Sequence, residues 1–143
     1  MGYYKLSKTE RVKTKQKEVI ESLEILIIDD NEQITKMLGT FLELKKQKCT
    51  VANDGKEGLD IIKENRHDVI LLDLAMPEFD GYAVIKDLEE SNTLKDHKII
   101  VFTASTITQE ELDVLVDRGV HSYILKPIDI DILLSKIIET ANS

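Results

Sequence analysis

Val69-Ile70-Leu71-Leu72-Asp73-Leu74-Ala75-Met76-Pro77 is the stretch that decides the fold. Four apolar residues run without interruption into Asp73. A short unbroken apolar run containing β-branched residues suits a strand buried on both faces, as in a parallel sheet. Asp73 then stands where the strand leaves the sheet. In open α/β sheets that carboxyl edge is where ligands bind. An acid placed there meets solvent and ligand, so it needs no buried partner. Pro77 and Gly81 follow at loop spacing and keep the strand from continuing.

The same pattern recurs on both sides of this stretch. Ile25-Leu26-Ile27-Ile28 predicts a first strand ending in Asp29-Asp30-Asn31, followed by helical spacing through Ile34, Met37, Leu38, Phe41 and Leu42. Thr50-Val51-Ala52 predicts a second strand, and Asn53-Asp54-Gly55 turns into a helix carrying Leu59, Ile61 and Ile62. The third helix runs from Tyr82 to Leu88, and the fourth strand from Ile99 to Phe102 ends at Thr103. Leu112, Leu115 and Val116 mark a fourth helix, with Gly119 as its stop. Ser122 to Leu125 makes a fifth strand before Lys126-Pro127, and Ile130 to Ile138 gives a last helix. Five strands alternating with five helices mean a parallel sheet covered on both faces, because parallel strands need crossovers. Right-handed crossovers divide the helices around a switch point. Each turn that follows a strand then lands on one edge, which gathers Asp29, Asp30, Asp73, Thr103 and Lys126.

Composition bounds the function. The chain has 143 residues, 42% of them hydrophobic, enough for one domain with a real core. No apolar run approaches the roughly 18 residues of a membrane helix, and the polar, basic N-terminus lacks the apolar core of a signal peptide. Cys49 is the single cysteine, which excludes a disulfide framework and a cysteine-based metal site. These points lead us to expect a cytoplasmic protein without membrane insertion. The net charge of −8 argues against a nucleic-acid surface. Residues 1–22 nevertheless carry six basic against three acidic side chains, a balance of +3 that leaves −11 for the rest. Residues 1–23 therefore read as a basic extension, with Val12, Gln16, Val19, Ile20 and Leu23 on one helical face. It is either a linker or a helix that pairs with a partner or second copy. Residues 24–141 read as the domain.

Three carboxylates on one edge repel each other, so each must raise its pKa or find a cation. A hard divalent ion resolves this: Mg²⁺ keeps several waters and takes one or two carboxylates, whereas Ca²⁺ wants more protein oxygens than this set supplies. Lys126 offers a compact point charge for a carboxylate or phosphoryl oxygen, and Thr103 a hydroxyl that can donate to the latter. An acid nucleophile, a metal, a lysine and a hydroxyl are the parts of phosphoryl transfer, in which Asp73 attacks phosphorus and becomes an acyl phosphate.

With these residues in place, the chain from Glu24 to Thr140 resembles the receiver domain of two-component response regulators. The matching motifs are Asp29-Asp30-Asn31, Asp73 with Met76-Pro77 and Asp80-Gly81, Thr103-Ala104, and Lys126-Pro127, in order and at strand ends. The resemblance implies a doubly wound, flavodoxin-like sheet in the order 2-1-3-4-5. It implies Asp73 as phosphoacceptor, with Asp30, Asp73 and the Ala75 carbonyl as direct ligands of Mg²⁺ (Mn²⁺ as the alternative) and Asp29 acting through metal-bound water. Thr103, Ala104 and Lys126 match the groups around the phosphoryl oxygens, and the Lys126–Pro127 bond is expected to be cis. Thr103 and the aromatic Tyr123 match the switch pair that rearranges the surface of the fourth helix, fifth strand and fifth helix. Implied partners are a sensor histidine kinase and a downstream protein target or histidine phosphotransfer protein. Dimerisation through the switched surface or the N-terminal helix stays open.

The chain departs from the common pattern at small positions. Ala75 and Ser105 flank the place of an attacking water and can supply neither carboxylate nor amide to orient it. Gly58 inside the second helix should cost about 1 kcal/mol unless it permits close packing. Asp29 and Asp30 alone could be a helix cap. His67, His97 and His121 read as separate surface residues, and Cys49 as a passive thiol. Two readings of the whole are expected: a switch without an output domain, since little chain follows the last helix, or a receiver belonging to a hybrid kinase or phosphorelay. An Asp-nucleophile phosphatase would need a second acid at Ala75 to protonate the leaving group. A flavin site would need a glycine- and hydroxyl-rich cradle after the first strand, where Asp29-Asp30 repels phosphate.

Overall fold

A computed structural model describes residues 22–104 and 106–143, so the expectations placed on residues 1–21 and on Ser105 lie outside the described residues. The elements are β1 (Glu24–Ile28), α1 (Glu32–Leu44), β2 (Lys48–Ala52), α2 (Gly55–Glu64), β3 (Val69–Leu72), α3 (Gly81–Glu90), a 3₁₀ turn (Leu94–Asp96), β4 (Ile99–Ala104), α4 (Gln109–Arg118), β5 (Ser122–Lys126) and α5 (Ile130–Ala141). All neighbouring strands pair parallel, in the order β2-β1-β3-β4-β5. This is the doubly wound topology expected from the alternating pattern.

Side chains alternate across the sheet and build two cores. Ile28, Ile70, Leu72 and Val101 face Leu59, Ile62, Val84, Leu88 and Leu115, which places α2, α3 and α4 on one side. Ile27, Leu71, Ile100 and Phe102 face Leu38, Leu42, Leu133 and Ile137, which places α1 and α5 on the other. All four residues of β3 are buried, the mark of a strand covered on both faces. Ile28 pairs with Ala52 on one side and Leu72 on the other, so the carboxyl ends of β2, β1 and β3 finish level.

Several boundaries differ from the sequence expectation. β2 starts at Lys48, because Lys48 and Cys49 pair with Glu24 and Ile25 although they lack the apolar character that marks a strand. β4 runs through Ala104, carried by the pairs Thr103–Leu125 and Ala104–Lys126. β3 ends at Leu72, while the Asp73 N–H still donates to the Ile28 carbonyl at 2.9 Å. Gly119, at φ 134°, ends α4 as expected. The histidines meet the expectation of surface positions in part: His121 is exposed, whereas His67 and His97 are not fully so. They precede the neighbouring strands β3, β4 and β5, so the topology brings them to the amino edge, and His67 and His97 are half-buried there. Burial pulls the His97 pKa below the usual imidazole value; Asp96 opposes this, and Arg66 and His67 add to it.

Helices α3 and α4 are joined unequally along their length. At the C-terminal ends Arg118 forks onto Glu89, with Nε 3.0 Å from Oε2 and Nη2 2.8 Å from Oε1. At the N-terminal ends the Tyr82 hydroxyl reaches Glu111 at only 3.5 Å.

Gly58 sits where α2 crosses β1. A Cβ there would lie 2.6 to 2.9 Å from three side-chain carbons of Ile28, which is fully buried and stiff at its branched Cβ. The missing Cβ thus lets the helix close on the strand that carries Asp29 and Asp30. Helix propensity alone favours Gly58→Ala by about 1 kcal/mol, but overpacking a tight core costs about 1–3 kcal/mol. We expect Gly58→Ala to lower stability in urea by about 1 kcal/mol, and Ile28→Val in the same chain to restore part of the loss.

Candidate functional site

Asn31, not the acid pair before it, caps α1: its side chain accepts from the Gln33 and Ile34 N–H groups. Asp29 and Asp30 are thereby left free of the capping role that their position would have allowed. Asp29 is fully buried. Its N–H donates to the Ala52 carbonyl at 3.1 Å, and its Oδ1 accepts from the Asn31 N–H at 2.9 Å. Its Oδ2 faces the Lys126 Nζ at 2.8 Å. Asp73, at the end of β3, is 4% exposed; its Oδ1 accepts from the Ala75 N–H at 3.2 Å and its Oδ2 faces the same Lys126 Nζ at 3.3 Å. Asp30 is exposed. One carboxylate oxygen from each of Asp29, Asp30 and Asp73 lies within 4.8 Å of the others. So β1, β3 and β5 deliver three acids and one ammonium to a single corner.

Gly81 keeps this corner tight. A Cβ on it would run into the backbone of Asp73 and Leu74. Its N–H donates to the Leu74 carbonyl at 3.0 Å, which seats α3 directly on the loop that carries Asp73. Asp80 caps that helix through the Ala83 N–H at 2.9 Å.

The electrostatics follow from the crowding. Burial, and next the Asp29 carboxylate, push the Asp73 carboxyl from its ordinary 3.8 up to about 6, while Lys126 and the Ala75 N–H pull the other way. Burial works against the Lys126 charge, but its bonds and attraction to Asp29 and then Asp73 outweigh that and raise its pKa above the usual lysine value. The Phe102 ring lies beneath the ammonium, 5.0 Å from Nζ to the ring centre, on the side away from water. One positive charge against three negative ones leaves room for a further cation. Oxygen donors from carboxylates suit a hard divalent ion such as Mg²⁺.

Thr103 is buried and lines a cavity of about 330 Å³ with Leu74, Ala75, Tyr82 and Glu111. Ala75 and Ala104 are exposed. The Lys126–Pro127 peptide is cis. Tyr123 is half-buried, its ring packed against the core under α2, α3 and α4. Its hydroxyl sits 3.0 Å from Gln109 Nε2 and 3.2 Å from Gln109 Oε1, and Lys136 Nζ lies 6.0 Å from its ring centre. Gln109, the Phe102 ring and the Asn31 cap add to the residues that the sequence marks. Nothing in local spacing marks Gln109 or Phe102. The N-cap preference of asparagine was a usable signal for Asn31.

Comparison with known proteins agrees with this geometry. The family model described as "Response regulator receiver domain" matches residues 25–138. The chain is 34% identical over 113 residues to the response regulator ArlR of Staphylococcus saprophyticus, covering 79% of this chain and 50% of that protein. It thus spans about half the length of the curated relatives it matches. Among solved structures, the Francisella response regulator 1452 receiver domain superposes with a TM-score of 0.77 at 30% identity, covering 85% of this chain and 98% of that one. The Vibrio cholerae chemotaxis protein CheY4 shares the fold, with a TM-score of 0.74 at 23% identity over 84% of this chain and 99% of that one.

The raised Asp73 pKa carries a stability consequence. A buried carboxyl with a raised pKa favours the folded state while it is protonated, fully below about 3.8, and that contribution is lost as pH rises through about 6. At pH 7.5 in chelator, Asp73→Asn should therefore raise the melting temperature by about 5 °C. The difference from the parent chain should shrink toward pH 5, as followed by circular dichroism. A difference independent of pH would mean that Asp73 titrates normally.

Proposed function

This chain belongs to the response regulator receiver domain family, and on that premise we propose that it is a phosphorylation-dependent signalling switch whose acceptor is Asp73. The observation that carries the reading is the shared Lys126, 2.8 Å from Asp29 and 3.3 Å from Asp73, in a corner where three carboxylates come within 4.8 Å. A purely structural ion pair has no use for two surplus acids, one of them exposed.

In this proposal an Asp73 carboxylate oxygen attacks the phosphorus of a donor, a phosphohistidine of a sensor kinase or a small acyl phosphate. The P–N or P–O bond breaks, the leaving group departs with the electron pair, and Asp73 becomes an acyl phosphate. The residues fit a divalent ion: Asp30, Asp73 and the Ala75 carbonyl would hold it directly, and Asp29 through water. When bound, Mg²⁺ supplies charge neutralisation for the acids and for the phosphoryl oxygens. Lys126 is the mobile charge: it now holds Asp29 and Asp73 together, and it leaves Asp73 for a phosphoryl oxygen once that group arrives. Thr103, on the cavity beside Ala75, donates its hydroxyl to a second oxygen, and Ala104 frames the third side.

The switch is read through α4, β5 and α5. Movement of Thr103 toward the phosphoryl group frees space on the core side of Tyr123. Turning the ring inward breaks its link to Gln109, the first residue of α4. Exposed apolar side chains on this face, Val114, Leu125 and Ile132, give a downstream protein a surface to bind. The same acceptor serves a relay to a histidine phosphotransfer protein equally well. Residues 24–141 form the switch unit and residues 1–23 an extension, in a cytoplasmic setting. Among the described residues no helix is long and apolar enough to cross a membrane. Ala75 leaves a phosphatase without its second acid, so lasting turnover is not proposed.

Incubation with Mg²⁺ and acetyl phosphate, followed by intact mass, tests the reading. One phosphoryl group, about 80 Da, should be added, and it should be absent in Asp73→Asn and in chelator. Incorporation that survives Asp73→Asn would place the acceptor elsewhere.

A further inference from the structure

Among the described residues no hydrogen-bond donor holds the Asp30 carboxylate, although its oxygen stands within 4.8 Å of those of Asp29 and Asp73. Its place must come from the backbone of the β1–α1 turn. That turn is held from the side by Asn53, the first residue past β2. The Asn53 Nδ2 donates to the Asp29 carbonyl at 2.9 Å and to the Thr35 hydroxyl at 2.9 Å. Both partners are specific. The Asp29 carbonyl only accepts, so the amide nitrogen and not the oxygen must face it. The Thr35 hydroxyl spends its own proton on the Glu32 carbonyl at 3.2 Å, so its oxygen is left to accept. Thr35 is buried in α1, and Asn53 is half-buried between the two loops.

We propose that Asn53 and Thr35 are positioning residues for the divalent-ion site: they fix the peptide that joins Asp29 to Asp30 and thereby aim the Asp30 carboxylate at the ion. The carbonyl that Asn53 grips belongs to the peptide plane whose other end is the Asp30 nitrogen. Rotation of that plane swings Asp30 but leaves Asp29 anchored, because Asp29 keeps its bonds to Ala52, Asn31 and Lys126. Loss of the Asn53 bond is therefore felt at the exposed acid, and less at the buried one. The inference rests on the reading of Asp30 and Asp73 as ion ligands. It adds two side chains that touch neither the ion nor the phosphoryl group. Groups of this kind typically change metal affinity or activity about 10- to 100-fold when removed.

Calorimetric titration of the full chain with Mg²⁺ alone, in parallel with thermal melts, tests the proposal. Asn53→Ala should weaken Mg²⁺ about tenfold. Thr35→Val, which keeps the shape and removes the hydroxyl, should weaken it by a smaller factor, and Thr35→Ser should restore the parent affinity. With acetyl phosphate, the Mg²⁺ concentration for half-maximal phosphorylation of Asp73 should rise in step, while the rate at saturating Mg²⁺ stays near that of the parent. If Asn53→Ala does not fold, the Thr35→Val and Thr35→Ser pair carries the same test. Lower melting temperatures with unchanged Mg²⁺ affinity would make the bonds purely structural and overturn the proposal. A parent chain that fails to bind Mg²⁺ would instead bring down the reading of the site itself, and this inference with it.

Discussion

Three carboxylates share one corner of the sheet with a single ammonium, and that imbalance organises the rest of the molecule. Repulsion among acids in a half-dry pocket opposes folding, so the chain needs a strong reason to bring them together. The parallel sheet supplies the means. It commits every strand to end on the same edge, and the core under that edge is closed enough to hold the acids in place. Asp29 is fully buried only because each of its polar atoms has a partner, from Ala52, Asn31 and Lys126 among others. Asp73 is held by one backbone N–H and a share of the same lysine, and it is the acid whose pKa burial raises. The two buried acids thus differ: one is saturated with partners and the other is only partly held.

The fold was legible because its signals are redundant. Apolar runs ending in Asp29, Asp73 and Thr103 repeat a single rule, and the alternation of strand and helix calls for a parallel sheet covered on both faces, while the order of the strands came from the family resemblance. The strand ends were less so. Lys48 and Cys49 belong to β2 through backbone pairing alone, which leaves no mark in side-chain character. Gly58 was legible as an exception but not as a solution, since its reason is the shape of Ile28, thirty positions away. The membership of the acid corner followed from topology, whereas its internal bonding did not. That Lys126 spans Asp29 and Asp73, that Asn31 takes the cap and that Gln109 meets Tyr123 depend on rotamers and on distances between loops. The histidines show the same gap from the other direction. The rule that collects the acids at one edge also collects His67, His97 and His121 at the opposite one, and sequence distance concealed it.

The packing also explains where the molecule can yield. The central strands β1, β3 and β4 are pinned by burial on both faces, and α2 is locked onto β1 by the absent Cβ of Gly58. α5 is tied back to the sheet through Lys98, whose Nζ meets the Ala141 carbonyl at 2.9 Å. Thr103, Tyr82 and Glu111 instead border an open cavity.

Helix α4 is fastened very differently at its two ends. The forked Arg118–Glu89 contact and the Gly119 stop hold its far end, while its near end has the stretched Tyr82–Glu111 contact and the Gln109 link to Tyr123 over a hollow. A rod secured in this way behaves like a door on a hinge. The two kinds of fastening lie ten residues apart, about 15 Å of helix. The outer face of that rod carries the exposed Val114 near its middle.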